Sequence, residues 1–260
     1  MSVQTSLFDL SNSVALLTGA SKGMGLSMAE GLAEHGAHVV VSSRKLDQCE
    51  AACKHINASC GEERAIPIAC NIGYKDQLEH LVGETRERLG PIDILVSNAG
   101  VNPFYGPMSE IPDSAYDKIM NSNVRSNHWL CQMVAPDMVA KKKGSIMITA
   151  STGAFSGSLT LGTYNISKLA DIALVRNVAL EYGPHGIRVN AICPGLIKTD
   201  FAKALWDNEM AKRNAETTTP LRRLGEPEDL KGIAVFLASD ASAYITGQAI
   251  AVCGGTNMWR

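Results

Sequence analysis

Seven short runs of apolar, largely β-branched residues punctuate the chain, and the early ones are separated by longer segments of helix-like composition. "VALLT" (14–18) gives way to "GMGLSMAEGLAEHG", "AHVVVS" (37–42) to "KLDQCEAACKHINA", and "RAIPIAC" (64–70) to "KDQLEHLVGETRERLG". "IDILVSN" (92–98), "GSIMITA" (144–150), "IRVNAIC" (187–193) and "QAIAVCG" (248–254) complete the set. Runs that are apolar throughout suit strands covered on both faces. Parallel strands joined by helices need right-handed crossovers, so the pattern predicts an α/β, doubly wound parallel sheet of about seven strands with helices on both faces. No repeat, low-complexity stretch or linker interrupts it, and residues 1–260 read as one domain. The segment 196–226 shows no strand pattern and reads as an insertion, a substrate lid over the C-terminal edge of the sheet.

Charge excludes some partners. The formal net charge is -2, and the one basic run, Lys141-Lys142-Lys143, suits a helix C-terminus. Neither nucleic acid nor a membrane surface is expected as a partner. Seven scattered cysteines with no C-x-x-C pair point to free thiols. Six dispersed histidines lack ligand spacing, so no metal is expected. "MSVQTSLFDL" has no basic n-region or apolar h-region, and "GGTNMWR" no S-K-L type signal. A cytoplasmic location is the expectation.

The first apolar run leads directly into "TGASKGMG", with Gly19, Gly23 and Gly25. Glycines permit a tight turn and close approach of backbone to a pyrophosphate, and the helix that follows offers unpaired N–H groups and a positive dipole end. The spacing is G-x-x-x-G-x-G rather than G-x-G-x-x-G. At the first strand-to-helix junction of an alternating chain, a nucleotide site is the better reading than a simple turn. The second strand ends in Ser43 and Arg44, where NAD sites carry an acidic residue for the ribose 2′-hydroxyl. Without that carboxylate a guanidinium can pair with a 2′-phosphate, and Lys22 can add a second positive charge. NADP(H) is therefore the expected cofactor.

Tyr164 and Lys168, in "TYNISKLAD", stand four residues apart and so one turn apart on a helix face. The pair is either an ordinary surface neighbourhood or a phenol whose pKa is lowered by an ammonium. The spacing alone leaves both open.

"TGASKGMG", "NAG" (98–100), Asn123, Ser151, "YNISK" and "PG" (194–195), in that order and spacing, resemble the short-chain dehydrogenase/reductase family. The resemblance runs the length of the chain, through "RRLGEPEDL", "FLASD" and "YITGQ". "GAHVVVSSRK", "IDILVSNAGVNPFYG" and "PGLIKTDF" are most similar to its NADP-dependent carbonyl reductase and retinol dehydrogenase type. It implies a single-domain Rossmann-type fold and hydride transfer between NADP(H) and a carbonyl or alcohol. Tyr164 then has a role as general acid or base, with its pKa tuned downward by Lys168. Lys168 also holds the nicotinamide ribose, Ser151 polarises the substrate oxygen, and Asn123 completes a proton path from Lys168 through water.

The same resemblance assigns Gly19, Ser21, Lys22, Gly23, Met24 and Gly25 to the phosphates, and Ser43 and Arg44 to the adenosine ribose. Asn71 and Ile72 fall near the adenine, where the family commonly has Asp-Val. Asn98, Ala99 and Gly100 shape the cofactor-side loop. Pro194, Gly195, Ile197 and Thr199 lie against the nicotinamide, with Tyr164 and Lys168. Substrate walls are expected from Asn102, Phe104, Phe155, Leu159, Phe201 and Trp206 with Ser151, favouring an apolar small-molecule carbonyl or alcohol. Phe201 and Trp206 could equally pack the lid onto the domain.

Nucleotide-sugar epimerisation or dehydration would use the same Tyr and Lys, but the chain lacks a large C-terminal substrate domain. A non-catalytic NADPH-binding sensor or scaffold need not keep the Asn-Ser-Tyr-Lys set. A homotetramer is expected by resemblance, with long helices over 114–141 and 164–182 and the "YITGQAIAVCGG" region at the contacts.

Overall fold

The computed structural model describes residues 7–207 and 209–258. The N-terminal MSVQTS and the C-terminal Trp259-Arg260 lie outside them, and with these part of the reading on address signals. The strands are β1 Val14–Thr18, β2 His38–Ser43, β3 Ala65–Ala69, β4 Ile94–Ser97, β5 Gly144–Thr149, β6 Ile187–Pro194 and β7 Ala249–Val252. They form one seven-stranded sheet of order β3-β2-β1-β4-β5-β6-β7, parallel at every pairing. Each strand falls where an apolar run predicts it. Pro67 lies in β3, an edge strand, where a missing N–H is tolerated.

Alternate residues of the strands feed two cores, one on each face. Leu16, Val40, Leu95 and Val189 face one side, against Leu78, Leu130 and Ile172. Leu17, Val41, Val96 and Met147 face the other, against Met28, Ile56 and Val235. The first layer comes from helices α3 (Lys75–Leu89), α5 (Ser126–Lys141) and α6 (Gly162–Tyr182); the second comes from α1 (Gly23–Glu34), α2 (Leu46–Cys60) and α9 (Lys231–Ala238). Burial on both faces is why the strand sequences are apolar throughout rather than alternating.

The helix expected over 114–141 is three pieces. Asp113–Ile119 (α4) and α5 flank a wider, π-helical turn at Met120–Arg125 that carries Asn123. Single π turns inside helices often mark functional sites, and apolar periodicity does not reveal them. The segment 196–226 holds two short helices, α7 (Lys203–Trp206) and α8 (Glu209–Thr218). Its two ends are tied together: Lys198 N–H donates to Gly225 O at 2.9 Å, and Gly225 N–H donates to Leu196 O at 3.1 Å.

Strand order reverses at β1, whose neighbours are β2 and β4. In open α/β sheets a crevice opens at such a point, outside the carboxyl ends of the strands. Thr18 and Ser97 lie in register there, followed by Gly19 and Asn98. Among the described residues no helix is long and apolar enough to cross a membrane. None of the seven cysteines is paired.

Candidate active site

The turn after β1 is built so that only glycine fits at its key positions. Gly19 has φ +63°, and a Cβ there would lie 2.8 Å from the Ala99 Cα. A Cβ on Gly25 would lie 2.2 Å from Gly19 O and 2.6 Å from Asn98 Nδ2. Asn98 clamps the turn by donating from Nδ2 to Gly19 O at 3.0 Å and to Thr18 O at 3.3 Å. Thr18 Oγ1 accepts from the Asn98 and Ala99 N–H groups, each at 3.2 Å. These contacts tie the turn after β1 to the residues that follow β4, Asn98 and Ala99. No side chain caps α1, so the N–H groups of its first turn stay open to an anion. Ser21 and Met24 are half-buried in the same turn. The cradle fits a dinucleotide pyrophosphate.

At the adenosine end, Arg44 is exposed just beyond β2. Ser43 Oγ lies 3.1 Å from Cys49 Sγ. Asn71 accepts the Gly73 N–H at 3.1 Å, and Ile72 is buried behind it. Lys22 differs from expectation: its ammonium donates to Asp200 Oδ2 at 2.7 Å, toward the segment after β6.

At the other end Thr152 Oγ1 donates to Pro194 O at 3.2 Å, and Gly195 packs so closely on Cys253 that a Cβ would approach Cys253 Cβ to 2.8 Å. The Ile197 side chain is buried in the core, so only its backbone can meet a cofactor. Thr199 Cγ2 sits by the glycine turn, 3.2 Å from where a Gly23 Cβ would be.

Tyr164 and Lys168 project from α6 toward the end of β5. Lys168 is 3% exposed; its Nζ lies 5.8 Å from the centre of the Tyr164 ring and donates to Thr149 O at 2.7 Å and to Asp171 Oδ2 at 3.1 Å. Ser151 opens a short 3-10 turn at Thr152–Phe155, accepts the Gly153 N–H at 3.0 Å and lies near enough to the Tyr164 phenol to pull its pKa down. Asn123, fully buried in the π-helical turn, accepts from Val101 N–H at 2.8 Å and donates to Val101 O at 3.0 Å and Ser167 Oγ at 3.1 Å. Its side chain is thus committed to the loop after β4 and to α6, not to Lys168.

The electrostatics correct one expectation. Tyr164 is half-buried as a residue, yet burial is the largest influence on its phenol. Lys168 and Ser151 pull the pKa down, burial and Asp171 push it up, and the balance lies above the usual tyrosine value. Burial also works against the Lys168 ammonium, but Asp171 and Tyr164 more than offset it and raise its pKa. The sequence reading omitted Asp171. Its signal was available: an acidic residue three positions after Lys168, on the helix face that also carries Ile172 and Val175 to the core.

The substrate side is assembled unevenly. Asn102, Phe104, Met108, Thr160 and Tyr164 line one recess. The Phe201 ring lies over Tyr164, with centroids 6.2 Å apart and planes tilted by 43°. Trp206 is half-buried, and its indole N–H donates to Thr199 O at 2.9 Å, which holds its own segment together. Phe155 is exposed, and Leu159 stands 90% exposed, away from the recess. Among the described residues no cluster of His, Cys, Asp or Glu could hold a metal ion.

Comparison with known proteins places the fold and sequence among dehydrogenases and reductases. The family described as Enoyl-(Acyl carrier protein) reductase matches residues 19–257. Dehydrogenase/reductase SDR family member 4 of Oryctolagus cuniculus is 42% identical over 95% of this chain and 94% of its own length. The Homo sapiens protein of that name is 41% identical over 95% of this chain and 88% of its own. A gluconate 5-dehydrogenase from Burkholderia cenocepacia, solved with NADP and tartrate, superposes with a TM-score of 0.90 at 30% identity, over 96% of each chain.

Proposed function

The chain belongs to the short-chain dehydrogenase/reductase family, and we propose that within it the protein is an NADP(H)-dependent reductase of apolar carbonyl compounds, with Tyr164 as the proton donor. The observation that carries this reading is the convergence of Tyr164, Ser151 and Lys168 beside a glycine cradle, with the Phe201 ring over the phenol. The substrate class follows from the apolar and aromatic side chains around that phenol.

The glycine turn and the open end of α1 would hold the pyrophosphate, and Pro194, Gly195 and Thr199 would border the nicotinamide. When bound, NADPH supplies the hydride that the substrate carbon accepts. The rest is the work of this chain's residues. Ser151 places and polarises the carbonyl oxygen. Tyr164 gives that oxygen its proton, or takes one from an alcohol in the reverse direction. Lys168 favours the phenolate that remains. Phe201 and the segment 196–226 act as a lid that excludes water from the reacting atoms.

A 2′-phosphate is favoured at the end of β2 by Arg44 and by the absence of a carboxylate at Ser43. The Burkholderia relative was solved with NADP, which supports the same choice. The apolar residues exposed on α6, among them Leu169 and Leu180, favour self-association, in keeping with the homotetramer that the resemblance implies. Consumption of NADPH with a panel of ketones, aldehydes, steroids and retinoids tests the activity, and no consumption with any of them contradicts it. A monomeric mass by light scattering at micromolar concentration contradicts the assembly.

A further inference from the structure

We propose that Asp171 is a positioning residue for reduction: buried against Lys168, its carboxylate offsets the pull of the ammonium on the Tyr164 phenol, so that the phenol holds its proton as a donor. The inference rests on the reading of Tyr164 as the proton donor.

Asp171 is completely buried, and both of its oxygens accept from N–H donors. Oδ2 faces Lys168 Nζ at 3.1 Å, and Oδ1 faces Asn127 Nδ2 at 2.8 Å. That pattern suits the ionised carboxylate. Asn127 is itself fixed: its Nδ2 also donates to Asn123 O at 2.6 Å, and its Oδ1 accepts from Ser97 Oγ at 2.5 Å. A chain of buried polar side chains thus runs from β4 through α5 to the ammonium beneath Tyr164. A lone buried ammonium would attract a phenolate strongly, because little water screens it. A carboxylate 3.1 Å from the ammonium offsets much of its charge at Tyr164. The other titratable groups around the pair are Cys131 on α5 and Cys193 on β6, and burial pushes these thiols up to about 12 and about 11. They stay neutral, so the charges that act on Tyr164, beside the burial that raises its pKa most, are those of Lys168 and Asp171. Two of the three ammonium protons are also taken, by Thr149 O and Asp171, which fixes the direction of the third.

The consequence is kinetic. Reduction needs the protonated phenol, and oxidation of an alcohol needs the phenolate. Asp171 extends reduction to higher pH and withholds the base that oxidation requires.

The test compares wild type with Asp171→Asn, which removes the charge at nearly constant shape. The Tyr164 contribution to tyrosinate absorbance is isolated by subtracting the Tyr164→Phe counterpart of each protein, without cofactor. The Asp171→Asn midpoint is expected about one pH unit or more below that of wild type. The alkaline limb of NADPH-dependent ketone reduction should move down with it. Coincident titrations, or a fall in kcat with an unmoved limb, overturn the proposal. If Asp171→Asn does not fold by circular dichroism, Asp171→Ser, with room for a water, carries the same test. A wild type without turnover at any pH would instead defeat the catalytic reading, and the tyrosinate titration would still report what Asp171 does to Tyr164.

Discussion

Lys22, in the glycine turn, reaches across to Asp200 and donates to its carboxylate at 2.7 Å, so the turn that would cradle a pyrophosphate is tied to the segment after β6. Both partners are largely exposed, so water and salt screen the pair and it adds little to stability. The contact matters less for stability than for what it leaves to Arg44.

Cofactor choice should depend on Arg44 more than on Lys22. A charge-assisted hydrogen bond is worth about 1.5–3 kcal/mol, so Arg44→Ala should weaken NADPH binding roughly tenfold or more and leave NADH nearly unchanged. Lys22→Ala should do less, because its charge is already shared with Asp200. Ser43→Asp should repel the 2′-phosphate and offer NADH a hydroxyl partner. The ratio of kcat/KM for NADPH and NADH at fixed ionic strength measures all three. Wild-type preference for NADH, or a larger effect from Lys22→Ala, contradicts this assignment.

Gly25→Ala should destabilise the protein by about 1–3 kcal/mol, because the new methyl meets the Gly19 carbonyl, a backbone atom that cannot turn aside. Gly83, inside α3, has nothing within 4 Å of its Cβ position. Gly83→Ala should stabilise by about 0.5–1 kcal/mol. The two urea midpoints should therefore move in opposite directions, and a matching shift would show that the turn has more room than its geometry indicates.

Phe201→Ala should raise KM for apolar ketones several-fold and leave NADPH affinity nearly unchanged, since its ring meets Tyr164 rather than the glycine turn. Trp206→Phe removes the indole bond to Thr199 O and should lower Tm instead. If Phe201→Ala leaves KM unmoved for every apolar ketone, the ring belongs to the packing of its own segment.

How far these residues could be read from the sequence depended on what each one packs against. The strands were legible because both faces of most of the sheet are buried, which makes runs such as "VALL" apolar at every position. The glycine turn and the Tyr164, Lys168 pair were legible because their chemistry needs fixed residue types at fixed spacings. Asn123 was expected at the site, but its setting in a π-helical turn was not, since one extra residue in a turn leaves little trace in apolar periodicity. Asp171, Asn127 and Ser97 were missed because they meet only through tertiary packing, from three different elements. The downward tuning of Tyr164 failed for the same reason. Lys168 and Asp171 are both visible in the sequence, three residues apart, whereas the burial that outweighs Lys168 is not.

Asp229 supports the "RRLGEPED" stretch in a pH-dependent way. Its carboxylate accepts from Arg223 at 2.5 and 2.8 Å and from the Glu226 N–H at 2.8 Å, and the Arg223 guanidinium holds its pKa down to about 2. A folded-state pKa below the unfolded value of about 3.9 means that the stabilisation is complete above that value and is lost as pH falls toward 2. Asp229→Ala should cost about 1 kcal/mol at neutral pH, in the range of a lost helix cap. The difference from wild type, followed by urea midpoints, should narrow below pH ~4. A gap that widens with acid would have the opposite sign.

The most direct test of the central claim is turnover by Tyr164→Phe, with NADPH and the best ketone or aldehyde of the panel, alongside NADPH affinity by fluorescence. Removing one hydroxyl should lower kcat roughly 100- to 10,000-fold while NADPH binds as in wild type. Turnover close to wild type with NADPH bound would contradict the assignment of Tyr164 as the proton donor.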